Sequence, residues 1–406
     1  MTASGGDAGH QAAANEPLRV LVVAPTPFFG DRGCHVRIYE EVQGLAALGI
    51  RSHVVTYPTG RDVPDIQIER ARALPGVRAP ALGPSVARPV LDLGVLLTAH
   101  RVIRRVRPHL IHGHLHEGIA IGTALRVGHR LPLVADLQGS LTAELVDHGS
   151  FAHDGVLAAV ARHVERWLVH RPDRIVTSST HGVALLTAQG VDAARVSVLS
   201  DGVDLDAFRP QPPDPALVSR LGLARKRVVV FLGVLTAYQG VDLLLDVAPI
   251  VAETQPDVHF LIVGYPNEER YRQLVRERGL DQVVSVPGRI PYAEAARWLC
   301  LGEVAVTLKR SLTEANGKLL NYMGCGLPVV ATDTPVNREL LGDDGVYTPV
   351  DDAAATAVRI LELLADRDRG RAVGAALRRR AERLFAWPVL SARLAGIYRE
   401  TLAGVG

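Results

Sequence analysis

A chain of 406 residues is longer than one hydrophobic core normally organises, so two domains are expected. Apolar residues make up 48% of it, with 38 glycines and 25 prolines, which fits a globular α/β protein and excludes a disordered or fibrous one. The formal net charge of +2 gives no reason to expect nucleic acid as a partner.

The first segment, residues 1–16, is expected to be a disordered tail. It lacks the basic-then-apolar order of a signal peptide. Three cysteines, Cys34, Cys300 and Cys325, cannot all pair, and this favours reduced thiols. No apolar run approaches the roughly 18–20 residues of a membrane span. A cytoplasmic location is therefore predicted.

The first domain is predicted over residues 17–208. Short apolar runs bounded by turn residues predict buried parallel strands at 18–25, 52–57, 110–114, 131–137, 174–179 and 195–200. Residues 35–49 and 155–171 carry apolar side chains at helical spacing between these runs. This alternation predicts βαβ units and a doubly wound parallel sheet.

Residues 101–109, RVIRRVRPH, contain four arginines and form a basic, helix-like segment. One interpretation is peripheral contact with a membrane surface. The other is an ordinary solvated helix end, which is the commoner meaning of such a pattern.

A proline-rich stretch at residues 209–216 predicts a stiff linker between the domains. A second α/β series is predicted over 217–386. Its strands are expected at 226–235, 258–266, 283–290, 304–310, 327–333 and 345–349. The last segment, 387–406, has the apolar spacing of a helix that packs back on the N-terminal domain.

Four motifs occur in the order typical of one known family. They are LSDGVDLDAFRP before the linker, the LIVGYP turn, KLLNYMGCGLPVVATDTP, and FAW before the closing helix. With them, residues 18–400 resemble a family 4-type retaining glycosyltransferase with the GT-B fold. The resemblance implies two Rossmann-like domains facing a cleft, of which the second binds a nucleotide sugar and the first an acceptor.

Residues 308–341 carry the expected sugar-donor site. The resemblance implies that Glu314 is catalytic and lies against the donor sugar, where a carboxylate can stabilise developing positive charge. Asn321 occupies the place of the family's second acid, and an amide there can still bond ribose hydroxyls. Lys318 and Lys309 are candidates for the diphosphate, since a compact ammonium beside a helix N-terminus suits phosphate. The remaining expected donor contacts here are Asn316, Gly317 and Leu319.

The segment 231–240 departs from the family pattern. The family commonly places an arginine and a lysine here to hold the diphosphate, whereas this chain has Val234 and Gln239. A departing diphosphate still needs cations or N–H donors. The expected substitutes are Lys318, Arg289 and the N–H group of Gly33, and the turn residues Gly264 and Tyr265 complete the predicted donor contacts.

Histidines alternate along HGHLHEG, residues 112–118, at the end of a predicted strand. Imidazoles two apart share one strand face and could indicate zinc. No metal site is predicted, because the sequence shows no further ligand and the resembled family needs no metal for transfer. His114 is instead predicted to be catalytic. Acceptor-side contacts are predicted at His116, Glu117, Gln138 and Arg37.

The sequence thus predicts a transferase that moves a sugar from a nucleoside diphosphate to a hydroxyl acceptor with retention and without a cofactor. In the resembled mechanism, the donor's own phosphate oxygen helps to take the proton. A lipid, a polysaccharide and a small metabolite all remain open as acceptor. The alternatives are a sugar-nucleotide 2-epimerase on the same fold and a non-catalytic GT-B subunit.

Overall fold

The structure is a computed structural model that describes residues 16–30, 33–73, 88–139, 156–311 and 316–404. The chain divides into two compact units. The first comprises Met1–Ser178, Val183–Leu199 and Ser391–Gly406, and the second Ser179–Gly182 and Ser200–Leu390.

The first unit is built on a seven-stranded parallel sheet with strand order β3-β2-β1-β4-β5-β6-β7. Its strands are β1 (Arg19–Ala24), β2 (Arg51–Thr56), β3 (Gln67–Arg70), β4 (Leu110–His114), β5 (Leu133–Leu137), β6 (Arg174–Thr177) and β7 (Val196–Val198). Its helices are α1 (Gly33–Ala47), α2 (Arg88–Val106), α3 (Leu115–His129), α4 (Val156–Val169) and α5 (Thr180–Ala188), of which Thr180–Gly182 count with the second unit. The central strands β1, β4 and β5 are buried apart from Arg19 and mostly apolar, as expected of a parallel sheet covered on both faces. His112, His114 and Asp136 are buried polar residues within them.

The second unit contains a six-stranded parallel sheet with strand order β10-β9-β8-β11-β12-β13. Its strands are β8 (Arg227–Gly233), β9 (Val258–Gly264), β10 (Val284–Gly288), β11 (Val304–Thr307), β12 (Val329–Thr332) and β13 (Val346–Thr348). Its helices are α6 (Pro215–Arg220), α7 (Val241–Thr254), α8 (Glu268–Glu277), α9 (Ala295–Leu299), α10 (Lys318–Gly324), α11 (Pro335–Leu341), α12 (Ala353–Ala365) and α13 (Arg367–Leu384). Apolar clusters pack against both faces of this sheet. The predicted architecture of two doubly wound parallel-sheet domains is confirmed.

The chain passes from the first unit to the second at residues 199–200, before the proline-rich segment 209–216. The reason is that Val203 and Phe208 are buried in the core of the second unit. Val203 also forms a bridge with Ala386. The proline-rich segment therefore lies within the second unit. The terminal helix α14 (Trp387–Ala403) starts in that unit, and its residues from Ser391 onward count with the first.

Two glycines lie side by side at the carboxyl ends of β8 and β9. Gly233 and Gly264 are register partners, and Gly264 has a φ of 155°. A Cβ atom on Gly264 would lie 1.7 Å from the carbonyl oxygen of Gly233. Only glycine allows this approach, so Gly264 has a structural requirement that is separate from its predicted contact with a ligand.

Two of the three cysteines are buried together in the second unit. Cys300 and Cys325 are 7% and 3% exposed, whereas Cys34 in the first unit is half-buried. None of these three described cysteines forms a disulfide bond. A hydrogen bond from the Cys325 thiol lowers the pKa of Cys300 to about 7 and raises the pKa of Cys325.

Within the described residues, no helix combines the length and the apolar character that crossing a bilayer would require.

Candidate active site

The second sheet has a switch point between β8 and β11. From β8 the chain runs outward through β9 and β10, and it then returns to β11 on the other side of β8. Ligands of doubly wound sheets bind at such a point, beyond the carboxyl ends of the strands. Here that edge is formed by Gly233 and the following turn, by residues 307–309 and by the start of α10.

Lys318, the first residue of α10, reaches this edge. Its ammonium donates a short hydrogen bond to the side-chain oxygen of Gln239, 79 residues away, and lies 5.2 Å from the centre of the Phe231 ring. A Cβ atom on Gly233 would lie 2.8 Å from Lys318 Cε, so the missing side chain makes room for the lysine. The cation thus lies in the turn where the resembled family usually places its own.

Tyr322 holds α10 against β8. Its hydroxyl accepts a hydrogen bond from the N–H of Leu232 at 2.9 Å and donates one to the carbonyl of the same residue at 3.1 Å. The Tyr322 side chain is fully buried, and burial raises its pKa well above the usual range of tyrosine. Because Lys318 is one helical turn before Tyr322, this contact fixes where its side chain starts.

Lys309 lies just beyond β11 and is buried. Its ammonium is 5.8 Å from the centre of the Tyr238 ring, and its carbonyl accepts a hydrogen bond from the Thr332 hydroxyl at 2.6 Å. Tyr238 and Gln239 belong to the same turn, so Lys309 and Lys318 both approach that turn. Two of the chain's three lysines are therefore at this edge.

Asn316 belongs to a buried amide network that joins β11, β12 and α11. Its side-chain nitrogen donates to Asn337 Oδ1 at 2.8 Å and to the Thr307 hydroxyl at 3.3 Å. Asn337 in turn donates to the carbonyl of Thr332 at 2.8 Å. Asn316 Oδ1 is buried and has no hydrogen-bond partner among the described residues.

The other predicted donor contacts are dispersed around the same edge. The Arg289 guanidinium lies 4.8 Å from the centre of the Tyr265 ring, beyond β10 and β9. Gly317 precedes α10, where a Cβ atom would meet Asp201 Oδ2 at 3.0 Å. Leu319 is fully buried in the core, and Asn321 is half-buried within α10. Glu314, the predicted catalytic acid, lies outside the described residues.

In the first unit, β4 and β5 bring His112, His114 and Asp136 together. His114 and Asp136 are register partners, and His114 Nδ1 lies 3.1 Å from Asp136 Oδ2. Arg37 and Glu41 face them from α1, with Arg37 Nε 2.8 Å from Asp136 Oδ2 and 3.0 Å from Glu41 Oε1. All five side chains are buried. The predicted catalytic His114 and acceptor-side Arg37 are therefore parts of one buried charged network.

The structure contradicts two premises of the argument about the three histidines. His116 does not share the face of His112 and His114, because β4 ends at His114 and α3 begins at Leu115 with a φ of 63°. Further potential ligands do exist, since Glu41 and Asp136 lie with the two strand histidines.

The remaining acceptor-side residues occupy three different surroundings. His116 Nε2 lies 3.7 Å from Glu165 Oε1 of α4, and burial lowers the pKa of His116. Glu117 pairs with Arg88 of α2. Gln138, just after β5, is half-buried, and its side-chain nitrogen has no partner among the described residues. Gly33 is the first residue of α1, as the predicted N–H donor requires.

A carboxyl group with an altered pKa, that of Asp92, lies near Glu117. Asp92 of α2 accepts a hydrogen bond from the Tyr57 hydroxyl at 2.7 Å. Burial raises the pKa of Asp92 to about 6, against the opposing effect of that hydrogen bond.

Sequence reasoning missed Glu41, Asp136, Tyr398 and Asp201. Asp136 had a visible signal, as a carboxylate inside the apolar run 131–137. Glu41 and Arg37 are four residues apart in a helix, a pattern normally found on solvated faces. Tyr398 donates to His112 or accepts from it at 2.7 Å across 286 residues, and the sequence gives no signal for that contact.

Comparison with known proteins identifies relatives along nearly the whole chain. The family description "Glycosyl transferase 4-like domain" matches residues 32–202, and "Glycosyl transferases group 1" matches residues 226–366. Over 93% of its length the chain is 30% identical to a D-inositol 3-phosphate glycosyltransferase of Thermobispora bispora, of which it covers 92%. It is 29% identical to a phosphatidyl-myo-inositol mannosyltransferase of Mycobacterium leprae, over 96% of this chain and 98% of that protein.

Solved structures show the same fold at lower identity. A sucrose-phosphate synthase from Thermosynechococcus elongatus superposes with a TM-score of 0.78 at 20% identity, over 95% of this chain and all of that one. The Anabaena protein HepE, crystallised with UDP and glucose, gives a TM-score of 0.75 at 19% identity, over 94% and 99% of the two chains.

Proposed function

Because the chain belongs to the family 4-like glycosyltransferases with the GT-B fold, we propose that it transfers a sugar from a nucleoside diphosphate to a hydroxyl group with retention of anomeric configuration. The observation that carries the proposal is the position of Lys318. Its ammonium lies at the switch point of the second sheet, hydrogen-bonded to Gln239.

In this proposal Lys318 binds the diphosphate of the sugar donor. The Gln239 side chain accepts from the ammonium through its oxygen, which leaves its own two N–H groups for phosphate oxygens. Together they replace the arginine and lysine that the family commonly places in this turn. Arg289 and Tyr265 form a stacked pair farther along the edge that suits the nucleoside.

The proposed reaction needs electrostatic stabilisation more than a covalent enzyme nucleophile. As the glycosidic bond to the diphosphate breaks, negative charge grows on the phosphate oxygens, and a fixed cation lowers the energy of that state. Glu314 is proposed to orient the sugar hydroxyls. His114, predicted to be catalytic, is buried beside Asp136 and Glu41, so no contact with the acceptor is assigned to it. The diphosphate oxygen receives the acceptor's proton. In this proposal Lys318 supplies the positive charge for the leaving diphosphate, and no metal ion takes part in the step.

The acceptor is proposed to be a polyol of the inositol type, free or in a lipid head group. The support is that two relatives are named for inositol phosphate and phosphatidyl-myo-inositol. A polysaccharide and another small metabolite remain outcomes of the test.

The test measures release of free nucleoside diphosphate from a panel of nucleotide sugars. Each donor is incubated with D-inositol 3-phosphate, phosphatidylinositol, a polysaccharide, a small polyol of another type or no acceptor, and the product's anomeric configuration is read by NMR. We expect release that depends on the acceptor and a product with the donor's configuration. An epimerised donor without release would instead support the 2-epimerase, and no turnover with any pair would support a non-catalytic subunit. An inverted product would refute retention.

One face of α2 supports peripheral contact with an anionic lipid surface. Val90, Leu93 and Leu97 are 43%, 55% and 56% exposed, and the same face continues into the exposed arginines Arg101 and Arg104. Apolar side chains followed by guanidinium groups suit acyl chains beneath anionic head groups.

Vesicle co-sedimentation tests this contact. We expect binding to vesicles that contain phosphatidylinositol and weaker binding after Leu93→Gln with Leu97→Gln. The matched control is Val358→Gln, which removes an equally exposed valine of the second unit (51% exposed). Equal sedimentation of all three proteins would refute this surface.

A further inference from the structure

The buried network of the first unit contains four potential metal ligands. His112 and His114 project from one face of β4, Asp136 comes from the neighbouring β5, and Glu41 comes from α1. Each is at most 2% exposed. One donor atom of each residue lies within 4.8 Å of the donor atoms of the other three. Two imidazoles and two carboxylates at this spacing form a donor set that zinc accepts.

One imidazole is anchored through a ring nitrogen, and the other lies beside two carboxylates. His112 Nδ1 lies 2.7 Å from the Tyr398 hydroxyl, and His112 Nε2 is buried without a hydrogen-bond partner among the described residues. His114 Nδ1 lies 3.1 Å from Asp136 Oδ2, and its Nε2 lies 3.8 Å from Glu41 Oε2. A second partner that orients the ring and leaves the other nitrogen available is the usual arrangement of metal-bound histidine.

The charges of the network also favour a cation. Arg37 Nε lies 2.8 Å from Asp136 Oδ2 and 3.0 Å from Glu41 Oε1, so one guanidinium serves two carboxylates. Both carboxylates are buried, and a buried negative charge is stabilised by a cation close to it. Asp136 Oδ1 has no hydrogen-bond partner in the described part of the chain.

We propose that Glu41, His112, His114 and Asp136 bind a divalent transition-metal ion, with zinc as the best-fitting occupant. The ion would connect α1, β4 and β5, and through Tyr398 it would connect them to the terminal helix. Its role is structural, and no step of sugar transfer is assigned to it. This inference is independent of the proposed function, because metal content is measured without substrate.

The test uses the full chain without a histidine tag, saturated with zinc and then dialysed. Elemental analysis is expected to give about one zinc ion per chain, and titration with a chromophoric chelator gives the affinity. We expect His112→Gln and Glu41→Gln to weaken zinc binding at least about 100-fold, and Tyr398→Phe to weaken it about 10-fold, the effect typical of losing an orienting partner.

The control addresses adventitious binding at the surface. His100 and His129 form an exposed pair whose ring nitrogens are 2.9 Å apart, so this pair could also take up zinc. His100→Gln is expected to leave the tight zinc ion in place. Zinc that is lost with His100→Gln but retained in His112→Gln would overturn the proposal.

Cobalt(II) provides a second readout that does not depend on a variant that folds. A buried site with two nitrogen and two oxygen ligands gives visible absorption bands that a surface-bound ion in water lacks. Wild-type protein that shows neither these bands nor retained zinc would overturn the proposal. Melting curves of the metal-free variants confirm that they are folded.

Discussion

Replacing Lys318 with methionine removes the ammonium from the donor edge and keeps a side chain of similar length. The variant tests whether this one cation carries the charge that the unusual turn at Val234 and Gln239 does not supply. The chain itself offers a matched control. Lys226 directly precedes β8, so Lys226→Met removes the same charge about 20 Å away, at the opposite end of that strand.

The expected loss can be bounded from the surroundings of Lys318. At a separation of about 4 Å and an effective dielectric constant near 20, two unit charges interact by about 4 kcal/mol. Measured values for hydrogen bonds to charged groups are lower, about 1.5–3 kcal/mol. We take about 2 kcal/mol, which corresponds to a roughly 30-fold loss of kcat/KM. The loss should fall mainly on kcat, because the phosphate charge grows as the bond breaks.

Folding stability should change much less. Lys318 is half-buried, and its contact with the Phe231 ring is worth about 0.5–1 kcal/mol. Methionine packs against the same ring and recovers part of that energy. We therefore expect Tm to fall by no more than about 4 °C.

The assay is the initial rate of nucleoside diphosphate release with the best donor and acceptor, with a thermal melt of each protein. A Lys318→Met enzyme within twofold of wild type in kcat/KM would refute the assignment of the diphosphate to Lys318. So would an equal loss in Lys226→Met, since that effect could not come from the donor edge.

The free energy of unfolding of Asp92→Asn, relative to that of wild type, should rise by about 1 kcal/mol as the pH increases from 4 to 7, after discounting for solvent exposure. The raised pKa of Asp92, about 6 against an ordinary 3.8, makes the folded state hold its proton more tightly, so wild-type stability falls as pH rises through that window. The free energies are measured by urea denaturation at each pH, and an identical dependence on pH for the two proteins would contradict this. Titration with a chromogenic disulfide should modify one thiol rapidly, Cys34, and the two buried thiols only on unfolding. Rapid modification of all three thiols would show that the core of the second unit, around Cys300 and Cys325, opens readily. Gly264→Ala should cost about 3 kcal/mol or more because of backbone overlap, whereas Gly279→Ala, with a φ of 65° and no atom near its Cβ, should cost about 1 kcal/mol. Similar losses in urea denaturation would show that the strand ends separate easily.

The fold was predictable because most strands of both sheets are short, largely apolar runs in the sequence. Every strand predicted from such a run is present, and the one that was missed, β3, has a single apolar residue in its sequence QIER. A strand at the edge of a sheet buries little, so it leaves little hydrophobic signal. Helix α1 was found from its apolar spacing, but the burial of Arg37 and Glu41 on the same helix was not.

The candidate site was predictable only where a motif preserved it. Lys318 lies in a recognisable segment, but its partner Gln239 is 79 residues away, and only the sheet brings the two together. The change of direction at Leu115 separates His116 from His114, and a period-two pattern cannot show where a strand stops. Long-range contacts such as that between Tyr398 and His112 depend on tertiary packing alone.

Because the chain has few lysines and two of them lie at the donor edge, reagents that modify primary amines have few sites of reaction in this protein. Its positive charge is carried almost entirely by guanidinium groups, which acylating reagents leave intact. Primary amines occur only at the N-terminus and at Lys226, Lys309 and Lys318. Reagents or metabolites that acylate lysine therefore have few targets in this chain, and one half-buried target is the proposed diphosphate ligand. A mass spectrum of the acylated protein, recorded with and without nucleotide, would report occupancy of the site from a single peptide.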